Sequence, residues 1–138
     1  MNSTTHPEYA AFLLRLSLGV MLLAHGLLKL LVFTLPGTVQ FFQSVGFPGW
    51  LAYITVVLEI GGGLLMLAGY RTRLVALGLV PLMLGAMSVH VGNGWVFSAP
   101  NGGWEYPAFL AVALIVQSLL GPGAFTLRYN RQAQLARA

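Results

Sequence analysis

Cysteine is absent from this chain of 138 residues, which excludes a disulfide framework, a thiolate metal site and an internal dithiol relay. Any redox chemistry therefore needs a cofactor or a partner. Charge is nearly as scarce: 7% of the residues are Asp, Glu, Lys or Arg, against about 25% in an ordinary globular chain whose surface must be wetted. The shortfall says that most of the outer surface faces lipid, and one membrane domain over residues 1–138 is the natural reading. Acidic groups are scarcer than basic ones, three Asp plus Glu against seven Lys plus Arg. The basic residues are scattered and form no stripe or reader motif, so nucleic acid is not an expected partner. Met1–Ala10 contains no Lys or Arg and no small-residue cleavage pattern follows the first apolar run, so that run is expected to stay as a membrane helix rather than to act as a signal peptide.

What is present is apolar: 57% of the residues are hydrophobic and the mean hydropathy is +0.80. A bilayer core of about 30 Å needs roughly 20 apolar helical residues to cross it. Four stretches come close, at about residues 11–31, 50–70, 74–91 and 105–120, and the expected fold is an all-α bundle of four transmembrane helices. Pro36-Gly37 and Gly46-Phe47-Pro48-Gly49 interrupt the chain after the first stretch, Gly92-Asn93-Gly94 and Pro100-Asn101-Gly102-Gly103 after the third, and Gly121-Pro122-Gly123 after the fourth. Only Arg71-Thr72-Arg73 separates the second from the third, which calls for a tight hairpin. Thr38–Val45 is too short to cross and too apolar for a free loop, and suits a short helix lying at the outer surface.

With four crossings, Arg71, Arg73, Arg128, Arg131 and Arg137 share one side with both termini, while the two longer loops contain no Lys or Arg. The positive-inside rule then places both termini in the cytoplasm. Trp50, Tyr53, Trp95, Trp104 and Tyr106 gather at the opposite side as an interfacial belt. Gly69-Tyr70-Arg71-Thr72-Arg73 and Thr126-Leu127-Arg128-Tyr129-Asn130-Arg131 end the second and fourth stretches in similar ways, a hint of a duplicated helical hairpin.

Arg15, His25, Lys29, Glu59, His90 and Glu105 lie within or at the ends of the expected spans, where each ionisable group costs at least a few kcal/mol near the bilayer centre. Counted from the outer ends, Glu105, His90 and Lys29 are shallow, His25 is roughly 9 Å down and Glu59 roughly 13 Å, at about 1.5 Å per residue. His25 and Lys29, four apart, share a helix face. A bundle brings inward side chains of separate helices together, so these five are expected to line a polar, outward-open pocket. Glu59 stands at its base and His90 and Glu105 near its mouth. A lone carboxylate at that depth takes up a proton or finds a cation, and Lys29 or His25 is the expected partner.

Each residue also has a plainer reading. Lys29 can snorkel to the headgroups, Glu105 can stabilise a helix N-terminus, and the two histidines can make interhelical hydrogen bonds. Arg15 is read as structural, snorkelling to the cytoplasmic face or holding the start of the first helix. Glu59-Ile60-Gly61-Gly62-Gly63 favours close helix packing and leaves space beside the carboxylate. It lies mid-helix, so a phosphate loop is not expected.

Arg15-Leu-Ser-Leu-Gly19, His25-Gly26 with Lys29, Gly46-Phe-Pro48, Glu59 with its three glycines, Gly69-Tyr-Arg-Thr-Arg73, His90, Gly102-Gly-Trp-Glu105 and Gly121-Pro-Gly123 together form a pattern that resembles the DoxX family, from about Arg15 to Leu127. The resemblance implies a four-helix protein of the bacterial inner membrane, related to the membrane subunit of thiosulfate:quinone oxidoreductases. Other members are linked to redox homeostasis and oxidative-stress partners. A broader likeness to four-helix disulfide-forming and quinone-reducing membrane proteins is weakened by the missing cysteines.

Three function classes follow. In the first, a redox-associated subunit binds a quinone head group or a small anionic or oxidised substrate, with Glu59 and His25 as catalytic groups and Lys29, His90 and Glu105 binding substrate. Glu105 would share proton movement with Glu59. The second is a non-catalytic anchor or maturation partner of another enzyme. The third is a small transporter or metal-binding protein built on His25, Glu59, His90 and Glu105, a donor set suited to zinc or iron. A metal is not expected, because no two of these ligands share a helix-local motif and Lys29 is close by. The bilayer is the first partner; a redox protein and a second copy of the chain are the others the sequence leaves open.

Overall fold

A computed structural model describes residues 6–127, which form five α-helices. They are α1 (His6–Leu27), continued by a π-helical turn (Leu28–Val32), α2 (Leu35–Ser44), α3 (Trp50–Ala68), α4 (Thr72–His90), continued by a 3₁₀ turn (Val91–Asn93), and α5 (Glu105–Leu120). Arg128, Arg131 and Arg137, which carry part of the charge-asymmetry argument, lie outside the described residues, as does the second half of the suspected repeat beyond Leu127.

The expected bundle of four transmembrane helices is corrected by these lengths. Among the described residues three helices are long and apolar enough to cross a membrane, His6–Val32, Trp50–Ala68 and Thr72–Asn93. The Glu105–Leu120 helix has 16 residues, or about 24 Å at 1.5 Å per residue, short of the ~30 Å hydrocarbon core. Glu105 and Gly121 set that length, the first held by the preceding loop and the second turning the chain with φ of 86°. The segment between the first two spans is a ten-residue helix, α2, begun by Thr34, whose hydroxyl accepts from Gly37 N–H.

Lipid tails are as apolar as leucine, so these helices associate through close packing and hydrogen bonds rather than through hydrophobic burial. The buried stripe of α1 is Ala11, Arg15, Leu18, Gly19, Leu22 and Gly26, and that of α3 is Ala52, Thr55, Val56, Glu59, Gly62, Gly63 and Met66. Both recur every three to four residues, as one helix face requires. Where they cross, a Cβ on Gly63 would sit 2.8 Å from Leu23 N and 2.9 Å from Gly19 O, so the two backbones touch. Gly62 faces the other way, against Leu79 of α4, and α5 packs along α4 through Leu110, Ala111, Ala113 and Leu114. The opposite faces, among them Val57, Leu77 and Phe109, are exposed and apolar.

Arg15 closes one end of the bundle. It is completely buried, and its guanidinium spends five N–H donors on five carbonyls: Nε on Pro122, Nη1 on Met66 and Leu67, Nη2 on Ala124 and Phe125. That is the full donor inventory of an arginine. The charge also sits at the negative end of the α3 dipole. Gly69 turns the chain there with φ of 70°, and a Cβ in its place would lie 2.7 Å from Arg15 Nη1. Arg73 serves α5 in the same way, donating to Ser118 and Leu119 carbonyls. The sequence reading of Arg15 as structural named snorkelling or the start of α1; the side chain instead ties the end of α3 to the segment after α5.

Candidate functional site

The other end of the bundle is open. Glu59 lies midway along α3 on its buried stripe, 4% exposed, and Lys29 continues the α1 stripe three residues beyond Gly26. At Gly26 the two helices are so close that a Cβ would lie 2.6 Å from Ile60 Cγ1 and 3.1 Å from Glu59 Cβ. Lys29 Nζ donates to both carboxylate oxygens, at 2.9 Å each. The ammonium is partly accessible and the carboxylate nearly enclosed, with side-chain exposures of 20% and 6%.

Lys29 sits on the π-helical turn, closed by Phe33 N–H donating to Leu28 O at 3.0 Å. A π turn inserts an extra residue and disturbs the regular ladder, and such turns often mark functional positions. Here the Lys29 carbonyl receives the hydroxyl of Thr38, which also donates to Thr34 O. Thr38 is buried, so α2 is anchored directly on the backbone of the residue that holds Glu59.

The pair borders a cavity of about 890 Å³ among all five helices. Its wall is mostly apolar: Phe41, Phe42 and Phe47 from α2 and its exit, Leu51, Ile54 and Leu58 from α3, and Pro81, Leu82, Met83 and Val89 from α4. Polar groups are few. His25 Nδ1 donates to the Met21 carbonyl at 2.8 Å, since a carbonyl only accepts, which leaves Nε2 as the ring nitrogen available to a ligand. The His25 ring stacks on Tyr106 of α5, centroids 5.7 Å apart and planes 28° from parallel. Tyr106 and Thr55 complete the polar lining with Thr38.

Of the residues singled out in the sequence, Lys29, Glu59 and His25 share this cavity. His90 reaches its rim, with Nδ1 3.1 Å from the Asn101 carbonyl. Glu105 is not in the wall: its Oε1 accepts from Phe97 N–H at 2.8 Å and pins the loop ahead of α5. Among the described residues no three His, Cys, Asp or Glu side chains converge as a metal-ligating group. Tyr106, which the sequence assigned to an interfacial belt, and Thr38 were not recognised as cavity groups. The signal for Tyr106 was its place one residue after Glu105, at the start of an apolar helix. For the π turn the sequence offered none.

Long apolar helices around a largely buried ion pair define a multi-pass membrane protein with an internal cavity. The DoxX family model matches residues 10–92, and the chain belongs to the DoxX family, as a multi-pass protein of the bacterial inner membrane. It is similar to the protein of Bacillus subtilis (strain 168) named "Putative oxidoreductase CatD", 36% identical over 80 residues, which is 58% of this chain and 58% of CatD. YdgD of the same organism is 35% identical over 85 residues, 59% of this chain and 73% of YdgD. The inner membrane protein YqjF of Escherichia coli (strain K12) is 30% identical over 93 residues, 66% of this chain and 69% of YqjF. No solved structure matches the chain.

Proposed function

We propose that the chain is a redox-associated membrane subunit whose cavity binds a quinone head group or a small anionic or oxidised substrate. The observation that carries this reading is the Lys29–Glu59 pair set in an otherwise apolar cavity. A buried ion pair is poor value as a stabiliser, because desolvation offsets its Coulomb attraction, and ionisable groups inside spans mark ligand or proton paths by default. The donor set fits a ring bearing carbonyl oxygens: Lys29 supplies N–H donors and positive charge, His25 a second polar contact, and the stacked His25–Tyr106 rings a flat wall. A bound quinone would supply two-electron, two-proton chemistry. Glu59, freed from one Lys29 N–H by the ligand, would accept or return a proton, with His25 in the same cavity wall. His90 at the rim is the remaining binding group. Glu105, engaged with the loop, has no contact with the cavity.

Electrons would come from a partner protein or a further cofactor, since the chain has no thiol. The name of CatD as an oxidoreductase supports that association. The Arg71–Arg73 turn, His6 and Leu127 share one end of the bundle, with Leu127 N–H donating to Ala68 O and Ala124 N–H to Glu8 O. The positive-inside rule makes that end cytoplasmic, so the cavity lies towards the periplasmic end.

The test is saturable binding of a tail-less dimethoxy-methyl-benzoquinone to the purified protein in lipid nanodiscs, read by quenching of its tryptophans. Wild type should saturate, and Lys29→Met together with Glu59→Gln should lower affinity at least tenfold. A linear, unsaturable response identical in both proteins would overturn the reading.

A further inference from the structure

The cavity wall is itself accessible where α3 meets α4. Its wall residues Ile54 and Leu58 of α3 are 45% and 40% exposed although they line the cavity. They are four apart, on one face of a spanning helix, and Pro81 of α4, also a wall residue, is exposed as well. Gly62 beside Leu79 fixes the antiparallel level of α3 and α4. Equal rise along both helices then brings Leu58 level with Met83 and Ile54 with Met87. Gly85 of α4 lies on this stretch and Gly78 lies just before it, towards the Arg71 end; both line the cavity, and a Cβ on either would meet nothing within 4 Å. The last buried residue of α4 is Met83. The gap between α3 and α4 is therefore at the depth of the hydrocarbon core, not at the surface.

We propose that this gap is a lateral portal, and that the ligand is an amphiphile whose polar head reaches Lys29 and Glu59 while its long apolar tail passes between α3 and α4 into the lipid. The inference rests on the head-group reading above and adds the ligand class and the route. The tail gains nothing by entering a protein groove, because lipid is as apolar as the groove. The portal matters sterically: a head held at Lys29 and Glu59 leaves a long tail no extended path inside a cavity bordered by all five helices, so it binds only if the tail can leave. Gly78 and Gly85 are the positions that keep the exit clear, and Leu58 and Ile54 are its opposite lip.

The experiment compares two probes in phosphatidylcholine nanodiscs, the tail-less benzoquinone and the same head with an eight-unit isoprenoid tail, on wild type, Gly78→Leu and Gly85→Leu. Wild type is expected to bind both. Each variant should lose at least tenfold in affinity for the tailed probe and keep the affinity for the tail-less one, which also reports that the variant is folded. Equal binding of the tailed probe by wild type and variants would overturn the portal while leaving the head-group site standing. Failure of wild type to bind either probe would overturn both. A second measurement needs no substitution: a diazirine on the tail's tenth carbon is photolysed in the wild-type complex and the adducts are mapped by mass spectrometry. Adducts at Ile54, Leu58 or between Gly78 and Gly85 are expected. Adducts confined to Phe41 and Val45 of α2 would show entry from the end of the bundle and overturn the proposal.

Discussion

Replacing Lys29 by Met removes both hydrogen bonds to the Glu59 carboxylate, 2.9 Å each, and leaves a nearly enclosed charge without its cation. Breaking a buried pair from one side costs about 3–5 kcal/mol, and charge-assisted hydrogen bonds about 1.5–3 kcal/mol each. The Lys29 side chain is 20% exposed, so water already screens part of the interaction, and about 3 kcal/mol is the reasoned expectation. Glu59→Gln alone leaves an ammonium that can turn towards water through the same exposed fraction, and should cost less, about 1–2 kcal/mol. The double variant, Lys29→Met with Glu59→Gln, removes both charges and should lie well above the Lys29→Met single variant in stability. Reversible unfolding in mixed detergent micelles on the four proteins forms a double-mutant cycle with an expected coupling of about 1.5–3 kcal/mol. Additive losses, within about 0.5 kcal/mol, would mean that the pair carries no interaction energy, and the site built on it would fall.

Arg15→Lys keeps the charge but cuts five donors to three, so at least two carbonyls at the end of the bundle lose their partner; a loss of about 2–4 kcal/mol is expected in the same unfolding assay. Gly63→Ala places a methyl against the Leu23 and Gly19 backbones, which cannot yield, for a loss of about 1–3 kcal/mol. Gly61→Ala, which meets nothing within 4 Å, should stay within about 1 kcal/mol of wild type. The cysteine-free chain also allows a clean sidedness test. A single Asn101→Cys should react with an impermeant thiol reagent added to intact cells, and Arg71→Cys only after lysis.

Much of this was legible because burial in a membrane protein is written in a few expensive residues. Arg15, Lys29 and Glu59 stand out as charges inside apolar runs, and the recurrence of Ala11, Arg15, Leu18, Leu22, Gly26 and Lys29 at helical spacing is itself enough to place Lys29 on the inner face of α1. Glu59 and the glycines after it share one helix, but only the structure shows that Gly62 turns to α4, Gly63 to α1 and Gly61 to neither. The fourth stretch misled for a simple reason: hydropathy continues through Leu119 and Leu120, and apolar composition does not say whether 16 residues suffice to cross. Glu105 misled differently. Its shallow depth suited a pocket mouth, yet loop backbone groups lie at the same depth and must be satisfied too. Glu105 went to Phe97 N–H, whereas His90, at a similar depth, lines the rim and also meets the Asn101 carbonyl.

The two ends of the bundle differ in how tightly they are packed. At the Arg71 end, Arg15 and Arg73 turn helix-terminal carbonyls into hydrogen-bonded joints, and α4 buries Thr72, Ala76, Leu79 and Met83. Beyond Met83 that helix buries nothing, while α3 continues to bury Thr55 and Ala52 against α1 and α2. The wall on the α4 side is therefore built of residues that face space rather than side chains, with Gly85 and Ala86 in place of bulk. In a protein whose interior is otherwise close-packed, such a region forgoes dispersion contacts on one side. A ligand that fills it supplies them. Occupancy should therefore add packing where the chain alone has least, which makes the distal half of α4 the part of the fold most dependent on what the cavity holds.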